Sequence, residues 1–225
     1  MITALRNTII VTIVGTALNM LLTILAAYPL SRKRLAGRSG LLMFITFTML
    51  FVSGIIPTFI LVKSLGLMDT YWALWLPGLL STYNMFVMKT FMEGLPSEIE
   101  ESAAMDGAGD WRILLQIMLS LCKPIIASLS LFYAVGWWNS YFQVLLYITK
   151  TTHQTLMVKL YQMINQVDAS LLNQAGGSEG AGQVLLTPEG IKAAAIIIAV
   201  TPILIVYPFL QKHFVKGVLI GSVKG

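Results

Sequence analysis

Apolar residues gather into five long runs without a single charge, at 8–30, 41–62, 71–88, 125–149 and 193–211. As a helix rising about 1.5 Å per residue, each is long enough, or nearly so, to cross a hydrocarbon layer roughly 30 Å thick. The pattern predicts an all-α, polytopic transmembrane helix bundle with five spans, forming a single transmembrane domain over 1–225. Pro57, Pro77 and Pro202 fall inside runs, which membrane helices tolerate where neighbours satisfy the freed backbone groups. Loops 31–40 and 63–70 are short tethers. Loops 89–124 and 150–192 are long enough to hold structure of their own and are where partners bind. The latter predicts an amphipathic helix over 155–172, followed by a glycine-rich linker at 175–182.

Composition agrees with the runs: 56% of the 225 residues are hydrophobic and 11% charged, against about 25% charged in a soluble domain. The net charge of +5 comes from residues between and after the runs. It makes no continuous basic face, so nucleic acid is excluded as a partner. Placing loop 31–40 in the cytoplasm puts 89–124 and the C-terminal tail there too. Ten basic residues are then inside (Arg32, Lys33, Arg34, Arg38, Lys89, Arg112, Lys123, Lys212, Lys216, Lys224) and five outside (Arg6, Lys63, Lys150, Lys159, Lys192), the bias the positive-inside rule asks for. This orientation leaves the N-terminus outside, so a preceding span is expected to be missing from the chain. The lone Cys122 excludes an intrachain disulfide and is read as packing. His153 and His213 fall on opposite sides of the membrane, so neither a shared metal site nor a proton relay joins them.

Six of the ten acidic residues lie between Glu93 and Asp110, and none lies in a run. Within that loop, 96–108 reads as a short helix. Pro96 and Ser97 start it, Glu98, Glu100 and Glu101 favour its positive end, and Gly107 stops it in a left-handed conformation. A second helix starts near Asp110 and runs to Lys123-Pro124. Small Ser102, Ala103 and Ala104 beside an acid suit a helix seated in a partner's groove. A solvated amphipathic connector explains the composition equally well.

The string Glu101-Ser102-Ala103-Ala104-Met105-Asp106-Gly107-Ala108, then Ile117-Met118-Leu119-Ser120-Leu121-Cys122-Lys123-Pro124, resembles the cytoplasmic coupling-loop signature of bacterial ABC importer permeases. The ending Phe209-Leu210-Gln211-Lys212-His213-Phe214-Val215-Lys216-Gly217-Val218 is similar to that of the maltose-type, oligosaccharide branch. Two positions depart from the pattern: Ser102 stands for the usual Ala, and Ser120 for the usual Pro. Ser102 keeps the small size. Ser120 is expected to straighten the second helix and alter the angle at which it meets the membrane. The resemblance implies a multi-pass protein of the bacterial inner membrane that normally has six spans. It implies that Glu101, Ser102, Ala103, Asp106 and Gly107 dock on a cytoplasmic ATPase. It further implies two ATPase subunits carrying ATP and magnesium, a second permease, an extracytoplasmic solute-binding protein touching loop 150–192, and a sugar or oligosaccharide as substrate.

No phosphate-binding loop occurs, and no nucleophile and base stand in a recognisable arrangement, so the chain itself is expected to be neither an ATPase nor an enzyme and to hold no cofactor. Trp137, Trp138, Asn139 and Tyr141 are candidates for the substrate path, since aromatic faces beside an amide can stack on and hydrogen-bond a sugar. Trp and Tyr also collect at membrane interfaces. The rival reading is an ion-coupled secondary transporter, which is expected to place ionisable residues at mid-membrane; the five runs have none.

Overall fold

The computed structural model describes residues 1–51 and 53–175, with 190, 193–194, 196–202 and 204 beyond them, and of 167–175 the backbone alone. Every regular element among the described residues is helical. The first run forms α1, Ile2–Ser31, unbroken despite Pro29 and apolar enough to cross a membrane. Its length is about 45 Å at the α-helical rise.

The next three runs are each broken, where single spans were expected. Run 41–62 divides into α2 (Arg38–Leu50) and α3 (Ile55–Ser64), bent by 107°. Gly54 at φ +77° opens α3 there, a conformation that favours glycine. Run 71–88 divides into α4 (Trp72–Trp75) and α5 (Thr82–Glu93). Pro77 and Gly78 lie in the break, and Ser81 caps α5 by accepting from the Asn84 N–H. Run 125–149 divides into α8 (Lys123–Trp138) and α9 (Phe142–Tyr147). Before them come α6 (Ser97–Met105) and α7 (Asp110–Leu121), the latter holding a π-helical stretch over Ile113–Met118. The chain turns by 81° between α7 and α8, with Pro124 in the first turn of α8. Ser120 lies within α7, and the turn comes after it, at Cys122. Helix α10, Leu156–Ala175, is the predicted amphipathic helix. Run 193–211 is described only in part, helical where it is; the linker at 175–182 and the motif at 209–218 lie almost wholly outside the described residues.

Helix α1 organises the rest. Its buried positions Ala4, Thr8, Val11, Gly15, Asn19, Thr23 and Ala27 recur every three or four residues, giving a stripe of small and polar side chains that lets neighbouring backbones approach. Along it α5 and α8 pack, with α10 at its start. Two apolar clusters stand at opposite ends of this stripe. One joins Val11 to Val62, Leu74, Val144 and Ile148; the other joins Met20 and Ala27 to Met85, Met88, Met92, Met118 and Leu129.

The ends are also pinned by polar contacts. At the α1 start, Asn7 Nδ2 donates to Thr152 O (2.7 Å), and Leu156 N–H donates to Thr8 Oγ1 (2.8 Å). Nearby Asp69, at φ +61°, accepts from the backbone N–H groups of Thr149 (2.6 Å) and Lys150 (2.9 Å) and from Thr149 Oγ1. Loops 63–70 and 148–155 therefore meet on one side, as the charge pattern required. At the α1 end, residues Arg32 to Arg38 meet α5, α6 and α7 on the other side.

Candidate functional site

On that second side, three arginines following α1 brace the acidic loop. Arg32 pairs with Glu100, Arg34 with Asp110 and Arg38 with Glu93, while Lys89 Nζ lies 2.8 Å from Glu93. Arg38 Nε also donates to Leu30 O at 2.8 Å, closing the end of α1. The pairs differ in character. Arg32 and Glu100 side chains are 14% and 18% exposed, whereas Arg34 and Asp110 are both 64% exposed. Burial pushes the Glu100 carboxyl above its ordinary range, opposed chiefly by Arg32. Ionised Glu100 therefore weighs against the fold above that ordinary range, a burden that lifts as pH falls through the raised value.

Helix α6 itself ends as its sequence predicts. Gly107 sits at φ +79°, Ala108 N–H donates to Ala103 O and Gly107 N–H to Ala104 O, both at 3.0 Å, the paired bonds of a Schellman stop. Of the five residues expected at a partner's groove, Glu101, Ser102, Asp106 and Gly107 are exposed. Ala103 is not: at 9% exposure it belongs to the chain's own core with Ile113 and Leu114. Its small side chain serves the approach of α6 to the bundle. Glu101 and Ala104 line an open cleft of about 740 Å³ with Arg32, Lys33, Arg34 and Arg38. Sequence reasoning passed over Met105 and Trp111, 83% and 68% exposed. The signal was a large apolar residue on either side of Asp106-Gly107 in an otherwise acidic loop.

A second feature lies midway along α1. Asn19, 1% exposed, donates through Nδ2 to Gly78 O (2.6 Å) and Leu79 O (2.8 Å) and accepts from Trp137 Nε1 (2.7 Å). It thus satisfies the carbonyls that the break after Pro77 frees and fixes the indole. Beside this group is a cavity of about 550 Å³, open on one side and lined by Ser81, Asn84, Gly136, Trp137, Gln143 and Tyr147 among others.

Residues 19–220 match the family of binding-protein-dependent transport system inner membrane components. The chain belongs to that family. Membership makes it a transport subunit of the inner membrane, and its helical architecture is the family's bundle. Among relatives of this transport-component family, LplC of Bacillus subtilis (strain 168) is 47% identical over 217 residues, 96% of this chain and 72% of LplC. The polygalacturonan/rhamnogalacturonan transport system permease protein YtcP of the same organism is 45% identical over 220 residues, 96% of this chain and 75% of YtcP. The crystal structure of a bacterial ABC transporter involved in import of the acidic polysaccharide alginate aligns with a TM-score of 0.81 at 31% identity, over 94% of this chain and 74% of that one.

Of the four residues expected on a substrate path in this inner-membrane component, only Trp137 faces the cavity. Trp138 is buried against Leu156 and Leu160 and donates to Ala199 O at 3.1 Å. Asn139 donates to Val135 O, and Tyr141 packs on Tyr161 with ring centres 5.4 Å apart; both line a separate apolar recess with Ile164 and Ile196. Successive helical residues turn by about 100°, so 137 and 138 cannot share a face. Asn19, Asn84 and Gln143, which sequence reasoning left out, are the amides that reach this region.

Proposed function

We propose that this chain is one of two permease subunits of an ATP-driven importer of a sugar or oligosaccharide, gripped by its ATPase through α6. The observation that carries the reading is the bracing of the acidic loop around α6: Arg32 ties α6 itself through Glu100, while Arg34 and Arg38 tie the flanking α7 and α5 through Asp110 and Glu93, all to the segment that follows the longest span. A push on such a helix reaches α1 through charge-paired contacts and does not dissipate in a loose loop. Glu101, Ser102, Asp106 and Gly107 present the docking face, and exposed Met105 and Trp111 add apolar anchors of the kind that dominate interfaces. Ala103 positions the helix from within.

The sugar assignment rests on the relatives: YtcP is a polygalacturonan/rhamnogalacturonan permease, and the diacetylchitobiose uptake permease NgcG of Streptomyces coelicolor is 32% identical over 225 residues. ATP and magnesium act on the partner ATPase, a second permease completes the path, and an external solute-binding protein delivers substrate near loop 150–192. The test is a complex reconstituted with Glu101→Lys and Gly107→Pro in this chain. Both uptake and substrate-stimulated ATP hydrolysis are expected to collapse; unchanged values contradict the coupling role.

A further inference from the structure

The cavity beside Trp137 has the makings of a ligand site. By helical rise, Asn19 stands about 18 Å from Asn7 and about 20 Å from Arg32, so the cavity it borders lies near mid-depth between the two pinned ends. Its volume of about 550 Å³ falls inside the range of roughly 300–1,000 Å³ usual for small-molecule sites.

Four of its polar side chains, Ser81, Asn84, Gln143 and Tyr147, keep hydrogen-bonding capacity to spare. Asn84 is 7% exposed, yet among the described residues its side-chain amide has no hydrogen-bond partner. Ser81 Oγ accepts the Asn84 N–H at 3.4 Å and keeps its own proton to donate. Gln143 and the Tyr147 hydroxyl likewise have no partner among the described residues. By contrast Trp137 is held rigidly. Its indole N–H is bound to Asn19, and its ring lies so close to Gly15 that a Cβ there falls 2.6 Å from it. A fixed aromatic beside unpaired amides and hydroxyls is a preorganised surface for a polyhydroxylated ring. Among the described residues, no Asp, Glu, Lys, Arg or His lines the cavity. A carboxylate entering it loses hydration without gaining a counter-charge from them, whereas hydroxyls exchange water for amides at little cost.

We infer that this cavity is a binding site for one uncharged pyranose unit, held by Asn84, Ser81 and Gln143 beside Trp137, so that this chain contacts the sugar itself. The inference rests on the importer reading above. It also sets this chain apart from YtcP, named for polygalacturonan and rhamnogalacturonan, and from the alginate importer.

The test uses the complete transporter in proteoliposomes with labelled maltotriose, galactotriose, xylotriose, arabinotriose and trigalacturonate. At least one neutral trisaccharide is expected to be taken up and trigalacturonate not. Asn84→Ala should raise KM for that neutral sugar about tenfold, the equivalent of one lost hydrogen bond of about 1.4 kcal/mol. Gly136→Leu is the second variant. A Cβ at Gly136 meets nothing within 4 Å, and leucine favours a helix, so the fold survives while the cavity fills. Uptake should drop at least about tenfold, with sugar-independent ATP hydrolysis of the assembled complex within about twofold of wild type. Uptake of trigalacturonate, uptake of none of the neutral sugars, or unchanged KM and rate in both variants overturns the site. In those cases retained ATP hydrolysis by the assembled complex leaves the importer reading standing, while failure to assemble with an ATPase strikes that reading instead.

Discussion

Replacing Asn19 with leucine is the most informative perturbation of the bundle. The two side chains share the same branched four-atom skeleton, so the change removes the hydrogen bonds and adds only the extra bulk of two methyl groups. Three are lost: those to Gly78 O and Leu79 O and that from Trp137 Nε1. Side-chain hydrogen bonds between membrane helices contribute about 0.6 kcal/mol on average and up to about 1.7. Three of them give a loss of about 2–5 kcal/mol. The upper part of that range is expected, because Asn19 is 1% exposed and water does not readily replace it. The assay is reversible unfolding of the purified chain in mixed detergent micelles, read by circular dichroism. A double-mutant cycle with Trp137→Phe then isolates the indole bond, which should account for about 0.6–1.7 kcal/mol of coupling. A loss below about 0.5 kcal/mol for Asn19→Leu, or no coupling to Trp137, refutes the role assigned to this asparagine.

Three further outcomes follow from the same geometry. Gly15→Val drives a side chain into the Trp137 ring, where even a Cβ lies at 2.6 Å, and should cost about 1–3 kcal/mol by overpacking in the same unfolding assay. Arg32→Met strands Glu100, mostly buried, and should destabilise by about 3 kcal/mol; Arg34→Met breaks a pair that is 64% exposed on both sides and should cost less than about 1 kcal/mol. Asp69 is held below its ordinary value of 3.8, first by the Lys150 N–H and then by the Thr149 hydroxyl. Its contribution is therefore present above that ordinary value and lost as pH falls through the lowered one. Hydrogen exchange at the Thr149 and Lys150 amides should accelerate on that acidification in wild type and show no such step in Asp69→Ala.

The helical class and the shape of the acidic loop were legible because each rests on local chemistry. Uncharged runs can lie only in lipid or a protein core, and Gly107 stops α6 where a left-handed residue is needed. The positive-inside count grouped the same loops that the structure brings together, since Arg32, Arg34 and Arg38 find their acids across that face. Continuity of the spans was not legible. Hydropathy sums apolar character over a window and is blind to a backbone break such as the one between Trp75 and Thr82. That the aromatic cluster at 137–141 divides between faces was hidden for a related reason: adjacent letters look like one patch, while the helix sends Trp137 to Asn19 and Trp138 to Ala199. Asn19 was hidden because an amide in an apolar run gives no signal until the carbonyls of Gly78 and Leu79 are seen beside it. Ala103 was counted with a docking face because its size fits either a partner's groove or the chain's own core, and only packing decides.

The claim on which the functional account turns is that α6 is the part an ATPase grips. Ser102 is exposed on α6, and the native Cys122 is fully buried, so Ser102→Cys gives a single accessible thiol among the described residues. Treating native membranes with a short bifunctional thiol reagent should join this position to a nucleotide-hydrolysing subunit, with a yield that changes when ATP is trapped in the complex. No cross-link to such a subunit from Ser102→Cys, nor from cysteines placed across 98–107, contradicts the account.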